Sequence, residues 1–397
     1  MGFVREDVEK LSSELGEPGW VLGLRVEAWE FFEKFELPGE KDEPWRYTDL
    51  RRLKFKLDGF TPAKLDSTTQ ITEHQTSLLG SEGERGGYVI QRDADVVHKE
   101  VQPDLPASGV IFTDLNTAIR EHEDLVKEHL FKQFRTDDHI FSALHGALFS
   151  GGTFLYVPKG VTVALPVESQ RWIDEPATAM SAHSLIVVEE GAEVVYFERF
   201  ESTPLSADSI SFAATEVSVG QAARVSVVTL QEYGDGIWHF HNQRATTGQG
   251  ATFRSLVVSL GGRFSRQEVD SAMKGDGGSV EMLGLYFAEK GQHFDFRTLQ
   301  DHAAGHCTSD LLYKGALKDD SHTVYSGLIH VRPEGIETDA YQTNRNLVLS
   351  DHAKADSKPE LEIENNDVRC SHGASVGQVN EDEVFYLMSR GIPRADA

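Results

Sequence analysis

Two side chains that can bind soft metals lie two positions apart near the end of the chain, in the segment "DVRCSHG". They are Cys370 and His372. In a β-strand, residues two apart share one face, so the thiol and the imidazole could together bind a thiophilic metal such as iron. The alternative is a buried cysteine that packs as a small apolar residue, with a histidine bonded to a backbone carbonyl. A Cys–His catalytic pair fits less well, because parallel neighbours on a strand rarely meet.

The number of thiols limits what this pair could do alone. The chain has 2 cysteines, which are too few to hold an iron–sulfur cluster or a structural zinc without outside ligands. The other cysteine, Cys307, follows His302 and His306 in "DHAAGHCTSD", where we expect an ordinary polar turn, because zinc patterns such as C-x-x-C are absent. In "WHFHNQ", His239 and His241 would share one strand face, and we expect a surface pair.

The remaining motifs do not indicate an enzyme. Neither G-x-G-x-x-G nor G-x-x-x-x-G-K-[ST] occurs, so the glycines shape turns rather than cradle phosphate. A G-x-S-x-G elbow is absent as well, which leaves an α/β-hydrolase without support. The sequence therefore favours a non-catalytic protein.

Charge and composition restrict the partners and the compartment. The 397 residues include 38 basic and 64 acidic side chains, for a net charge of −26. Nucleic acids and anionic membranes need clustered positive charge, so neither is expected as the main partner. Scattered acids are typical of a salt-adapted cytoplasm, with an acidic mesophilic protein as the alternative. No apolar run reaches the roughly 18 residues of a membrane span, and acids occupy the N-terminus where a signal peptide would be basic and apolar. We expect a cytoplasmic protein.

The elements that position these residues follow a repeat. From residue 151 to about 377, Gly-containing turns alternate with short strands rich in Val, Ile, Phe and Tyr. The turn glycines recur every 28 to 31 residues, at Gly160, Gly191, Gly220, Gly248 and Gly277. This period predicts a mainly β fold built around a right-handed parallel β-helix, although a β-sandwich stays open as the alternative.

Helical segments are expected on both sides of this core. Residues 1–150 are predicted to form a mostly helical region with loops, and 151–377 to form the β-helix. Residues 378–397 should begin a C-terminal helical region, because Asn380 is a good N-cap and Gly391 a good terminator.

With these residues in view, the chain resembles the SufB/SufD family, the scaffold components of SUF iron–sulfur cluster assembly. The similarity is dense from "TSDLLYKG" through "QTNRNLVLSDHAKADSKPELEIENNDVRCSHGASVGQV" to "EDEVFYLMSRGI", and "EPWRYTDL" is similar to the family's N-terminal segment. The family's fold, a β-helix between helical regions, agrees with the repeat. "CSHG", together with the lack of a cysteine in "LSDHAKADSKPELEIENN", resembles the SufD branch.

The resemblance also implies roles. His372, with Cys370 as a second candidate, would act at a cluster-forming junction with a SufB-like paralogue, which brings the remaining ligands. The cluster would be transient and shared between the two subunits. A SufC-like ABC ATPase would dock on the segment that contains Phe385, Tyr386, Leu387, Arg390, Gly391 and Ile392. Members of the family usually continue with further helix, so the resemblance implies that residues 378–397 are an incomplete docking region. Whether a flavin takes part cannot be seen from the sequence.

Two alternative functions stay open. One is a homodimer that pairs through its end strands instead of with a SufB-like partner. The other is a β-helix enzyme that acts on polysaccharide, which would need clustered charged side chains in an exposed groove.

Overall fold

The computed structural model describes residues 2–66, 70–78, 84–394 and 396. Its helices lie toward the two ends of the chain, and within the described residues none is long and apolar enough to cross a membrane. Short 3-10 turns occur at Glu43–Trp45 and Leu57–Gly59. The helices are α1 (Arg5–Leu15), α2 (Gly19–Phe32), α3 (Glu73–Ser77), α4 (Asp104–Ala107), α5 (Leu115–Glu121), α6 (Glu123–His129), α7 (Ile140–Leu148) and α8 (Glu381–Ser389).

Most of the chain is β-strand. The strands are β1 (Thr61–Pro62), β2 (Gly87–Arg92), β3 (Asp95–Val101), β4 (Ile111–Asp114), β5 (Gly152–Val157), β6 (Val167–Ile173), β7 (Thr178–Val188), β8 (Glu193–Ser202), β9 (Ser209–Val219), β10 (Arg224–Glu232), β11 (Ile237–Thr247), β12 (Thr252–Ser259), β13 (Phe264–Met273), β14 (Ser279–Ala288), β15 (His293–His302), β16 (Thr308–Leu317), β17 (His322–Val331), β18 (Thr338–Val348), β19 (Lys354–Ile363) and β20 (Val368–Gln378).

From β5 onward, successive strands alternate between two sheets. Sheet A runs in the order β19-β17-β15-β13-β11-β9-β7-β5-β4, with β1 beside β7, and sheet B runs β20-β18-β16-β14-β12-β10-β8-β6-β2-β3. Neighbouring strands of successive coils pair in parallel and in register. The predicted parallel solenoid is therefore confirmed, with about eight coils in the described part of the chain and helices toward both termini. Parallel pairing excludes the antiparallel β-sandwich.

The parallel pattern is interrupted at the N-terminal end of the solenoid. Strand β3 pairs antiparallel with β2 at the end of sheet B, and β4 pairs antiparallel with β5 at the end of sheet A. Helix α5 then starts at Asp114, whose side chain accepts the N–H of Thr117 at 2.8 Å, as its N-cap position predicts. The first 110 or so residues thus contribute strands to both sheets as well as helices.

Helices cover the outer face of sheet A. Phe212 on β9 and Phe240 on β11 are buried there beneath α7, and Phe141 of α7 stacks on Phe240 with ring centroids 4.0 Å apart. Trp45 belongs to the same cluster. The guanidinium carbon of Arg266 lies over its indole, 3.7 Å from the centre of the ring. Aromatic packing of this kind fixes the N-terminal region to the solenoid.

The interior between the sheets is partly polar. Arg171 and Glu198 are fully buried and form an ion pair at 3.8 Å. His239 and His241 are also buried on the inward face of β11, so the expectation of a surface pair is wrong. His241 bonds with Gln267 at 2.8 Å, and burial lowers the pKa of both imidazoles. Polar pairing between successive coils makes the burial of His241 tolerable, whereas neither ring nitrogen of His239 has a hydrogen-bond partner among the described residues.

Candidate functional site

The last coil, β19 and β20, ends the solenoid without a cap. Each is the terminal strand of its sheet, and no further strand pairs with either one in the described part of the chain. The side chains of β20 are largely exposed, whereas those of its neighbour β18 alternate between buried and exposed. This coil, which we call the open end (354–363 and 368–378), therefore offers two unpaired strand edges.

Cys370 and His372 lie together on β20. In the parallel ladder, Cys370 is paired with Ala340 and His372 with Gln342 of β18. Ala340 and Gln342 both face the interior and are buried. The cysteine and histidine thus continue an inward-facing row, as strand alternation predicts, but the row ends with them and no coil covers it.

The two groups differ in their readiness to bind a metal. Cys370 is half-buried and packs beside the apolar cluster of Ile329, Val331 and Ala340. Burial raises the pKa of its thiol, and the negative charge of Asp339 adds to the effect, so the group is a thiol at neutral pH. His372 is exposed. A metal arriving at this row would meet an accessible imidazole first and would have to displace the proton of the thiol.

A layer of hydrogen-bonded polar side chains connects the open end to the preceding coils. The side-chain amide of Asn344 donates to the hydroxyl of Tyr286 at 2.9 Å, and that hydroxyl donates to Asn346 at 2.6 Å. Asn346 in turn donates to the Asn344 oxygen at 2.7 Å, and Ser357 of β19 donates to the same oxygen at 2.7 Å. This layer ties the terminal strand of sheet A to sheet B and fixes the last coil in place.

Apolar side chains lie near the half-buried thiol and the exposed imidazole. Leu361 and Ile363 occupy inward-facing positions of β19. Val376 lies on the same face of β20 as His372. These three residues are 36%, 42% and 50% exposed. A bare row with apolar residues around a pair of potential ligands is suited to burial against another protein surface.

The predicted docking residues lie on and after α8. The side chain of Asn380 caps the helix by accepting the N–H of Asp382 at 2.9 Å. Phe385 and Tyr386 are 71% and 58% exposed. The other predicted positions are Leu387, which is half-buried, Arg390 at the C-cap, Gly391 with φ +90°, and the exposed Ile392. The helix thus displays large apolar side chains to solvent.

The histidine and cysteine residues of the segment 302–307 do not converge on one site. His302 is buried and bonds with Ser309 at 2.8 Å, whereas His306 is exposed and lies 3.1 Å from Glu337. The thiol of Cys307 is buried, donates to the carbonyl of Gly305 at 3.4 Å, and has its pKa raised by burial. Cys307 and Cys370 are both free thiols. The first cysteine is a packing residue.

One group with metal-binding side chains was not predicted from the sequence. His330 of β17, Glu362 of β19 and Glu364 bring one ligand atom each to within 4.8 Å of one another on the outer face of sheet A. The register pairs His330 with Glu362, which only the fold could reveal. Glu364 already forms a hydrogen bond with His330 at 2.8 Å, so the group is accounted for as a hydrogen-bonded surface pair with Glu362 beside it.

Comparison with known proteins assigns the chain to a family. Residues 171–397 match the model "SUF system FeS cluster assembly, SufBD core domain", and residues 18–168 match "SufBD protein N-terminal region". The iron–sulfur cluster assembly protein SufD of Bacillus subtilis is 31% identical over 99% of this chain and 90% of its own length. SufB of the same organism is 29% identical over 100% and 86%. A SufBD family protein of Mycobacterium tuberculosis is 33% identical over 92% and 82%. The predicted resemblance is confirmed, and the chain belongs to the SufB/SufD family of iron–sulfur cluster assembly proteins.

Proposed function

We propose that this chain is a SufD-like, non-catalytic subunit of a cytoplasmic SufBCD-type scaffold that supports iron–sulfur cluster assembly at a junction with a SufB-like paralogue. The observation that carries the proposal is the position of Cys370 and His372, on an inward-facing row at the uncapped end of the solenoid. Residues 151–377 form the scaffold, 1–150 form the N-terminal region, and 378–397 begin a docking region.

At this junction the nascent cluster is cargo rather than a resident cofactor. His372 offers a nitrogen lone pair, and Cys370 offers a sulfur once its proton has left. Two ligands do not complete a cluster, so a partner strand that extends the ladder beyond β20 supplies the others. The raised pKa of Cys370 keeps this subunit from holding iron strongly when it is alone.

The exposed helix α8 is the proposed contact with a SufC-like ABC ATPase. Phe385 and Tyr386 are the anchors, because large aromatic side chains that are exposed in one subunit commonly dominate an interface. Leu387, Arg390, Gly391 and Ile392 complete this surface.

Replacement of His372 by alanine in the assembled complex tests the junction. Folding and complex mass should be unchanged, while the iron and sulfide bound after reconstitution should fall. Cys370→Ser tests the thiol in the same way, and Ser371→Ala, on the opposite face of β20, is the matched control. Normal cluster loading by a stably folded His372→Ala complex would end the ligand proposal.

A homodimer is the second candidate, because the same open end would also serve to pair two copies of this chain. Native mass measurement of the purified chain, alone and with a SufB-like subunit, separates the two assemblies. The comparisons lend no support to the polysaccharide-acting enzyme.

A further inference from the structure

The outer face of sheet B carries aligned apolar residues that the fold leaves uncovered. Phe197, Val228, Leu256, Leu283 and Leu312 stand side by side on β8, β10, β12, β14 and β16, because the parallel strands are in register. All five point away from the interior and are partly exposed. They form a continuous apolar row across five strands.

Two further rows widen this surface. Leu230, Val258 and Leu285 are aligned next to the first row, and Phe287 and Leu347 belong to the row after that. Leu285 is 39% exposed, Phe287 50% and Leu347 43%. We call the three rows together the sheet B patch.

The corresponding face of sheet A shows how this fold treats such rows. There Ile210, Phe212 and Phe240 are 0%, 1% and 3% exposed, since α7 and the segment around Trp45 pack on them. Parallel sheets are normally covered on both faces, and a contiguous exposed apolar patch on a soluble protein marks a contact surface. The sheet B patch is therefore an apolar sheet face on which no described helix or loop packs.

Charged side chains at one end of the patch indicate which kind of partner surface would bind there. Lys314 of β16 and Arg345 of β18 are paired neighbours that continue the row of Leu285. Neither forms an ion pair with any residue that the structure describes. The outward positions of these rows from β12 to β18 carry no acid, although the chain has 64 acidic residues against 38 basic ones. Two adjacent cations without counter-charges repel each other, which an acidic partner would reverse.

We propose that the sheet B patch binds an amphipathic helix of a partner protein, with an apolar stripe over the rows and acidic residues at the end that meets Lys314 and Arg345. The six strands from β8 to β18 span about 24 Å at about 4.8 Å per interval, which equals about 16 helical residues. Pairing of two such patches from two copies of this chain is disfavoured, because it would add unpaired cations to the same interface. The surface lies on the outer face of sheet B and adjoins the open end only at β18, which pairs with β20. It does not depend on the cluster-binding proposal.

Binding of synthetic helical peptides of about 16 residues tests this inference. One peptide has a leucine stripe with three glutamates at one end, and a second has lysines in place of the glutamates. Fluorescence anisotropy with the full chain should show the glutamate peptide binding about tenfold more tightly than the lysine peptide. Leu285→Glu should weaken binding at least about tenfold, whereas Thr252→Glu, on the outer face of β12 but off the patch, should not.

Reversal of the two cations gives the second arm. A Lys314→Glu/Arg345→Glu chain should prefer the lysine peptide, and thermal melting should show that every variant keeps the stability of the native fold. The inference is overturned if the glutamate peptide shows no saturable binding, if both peptides bind the native chain equally, or if charge reversal leaves the preference unchanged. It is also overturned if the native chain dimerises and Leu285→Glu makes it monomeric, since a second copy would then be the cover.

Discussion

Replacing Glu216 by alanine should detach the segment before α7 from the solenoid. Glu216 is fully buried on the outer face of β9. One carboxylate oxygen accepts the N–H of Phe131 at 2.7 Å and lies 3.0 Å from His183, and the other accepts the N–H groups of Gln133 at 2.7 Å and Phe134 at 3.0 Å. This single side chain thus satisfies three backbone amides of a non-helical segment.

The contacts set the expected magnitude. Each buried amide that loses its acceptor costs about 1–3 kcal/mol, and hydrogen bonds to a charged group lie toward the upper end. Water that enters the space left by the side chain recovers part of this loss, so we expect Glu216→Ala to reduce the free energy of unfolding by about 3–5 kcal/mol. Glu216→Gln retains one acceptor oxygen and should cost about half as much.

Urea unfolding at pH 7 measures this change, and amide hydrogen exchange localises it. Protection should be lost first at residues 131, 133 and 134. Glu128→Ala is the control, because it removes the same charge from an exposed position on α6. A Glu216→Ala chain within about 1 kcal/mol of the Glu128→Ala control would refute the argument, since the amides would then be satisfied without the carboxylate.

Three further outcomes are expected. Glu198→Gln should lower the free energy of unfolding in urea by about 3–5 kcal/mol, because it leaves Arg171 charged and buried. Adding Arg171→Met should restore most of this free energy, and a double variant without such recovery would contradict the ion pair. Burial raises the pKa of Asp93 to about 6, so the contribution of Asp93 to stability should fall as the pH rises from about 4 through 6. Urea unfolding should show the advantage of Asp93→Asn over the native chain growing across that range to about 2–3 kcal/mol at pH 7, and a difference that stays constant with pH would contradict this assignment. The melting temperature should rise between low and about 1 M KCl, because salt screens the repulsion within a chain of net charge −26; a flat or falling profile would count against self-repulsion.

The repeat was readable from the sequence because glycine marks some of the corners, but not all of them. Gly160 and Gly191 have the positive φ that favours glycine, and each donates its N–H to a carbonyl of the next coil. At equivalent corners Ala222, His306 and Glu337 adopt the same conformation and donate in the same way. The solenoid is therefore as regular in its last coils as in its first ones, although its sequence pattern fades after Gly277.

The polar interior could not be predicted by the rule that polar residues face outward. His239, His241 and Glu198 alternate along their strands as surface residues would, and periodicity alone does not say which face is inside. The burial of His241 and Glu198 depends on partners in neighbouring coils, Gln267 for the histidine and Arg171 for the glutamate. These pairs cannot be identified from the sequence until the register between strands is known. The same applies to His330 and Glu362, which meet only across β17 and β19.

That Cys370 and His372 share one face of a strand was predictable, because a strand has a period of two. That this face lies on the last coil of the solenoid could be learned only from the topology. A solenoid grows by adding coils, so each end must be stopped by a cap or by a partner. Here β3 and β4 interrupt the parallel pattern with antiparallel pairs, whereas β19 and β20 continue it to the end and pair with no further strand among the described residues. Two-fold pairing of two such ends would give a closed contact instead of a filament. It would also bring Cys370 and His372 beside a second chain, which is what the proposed junction requires.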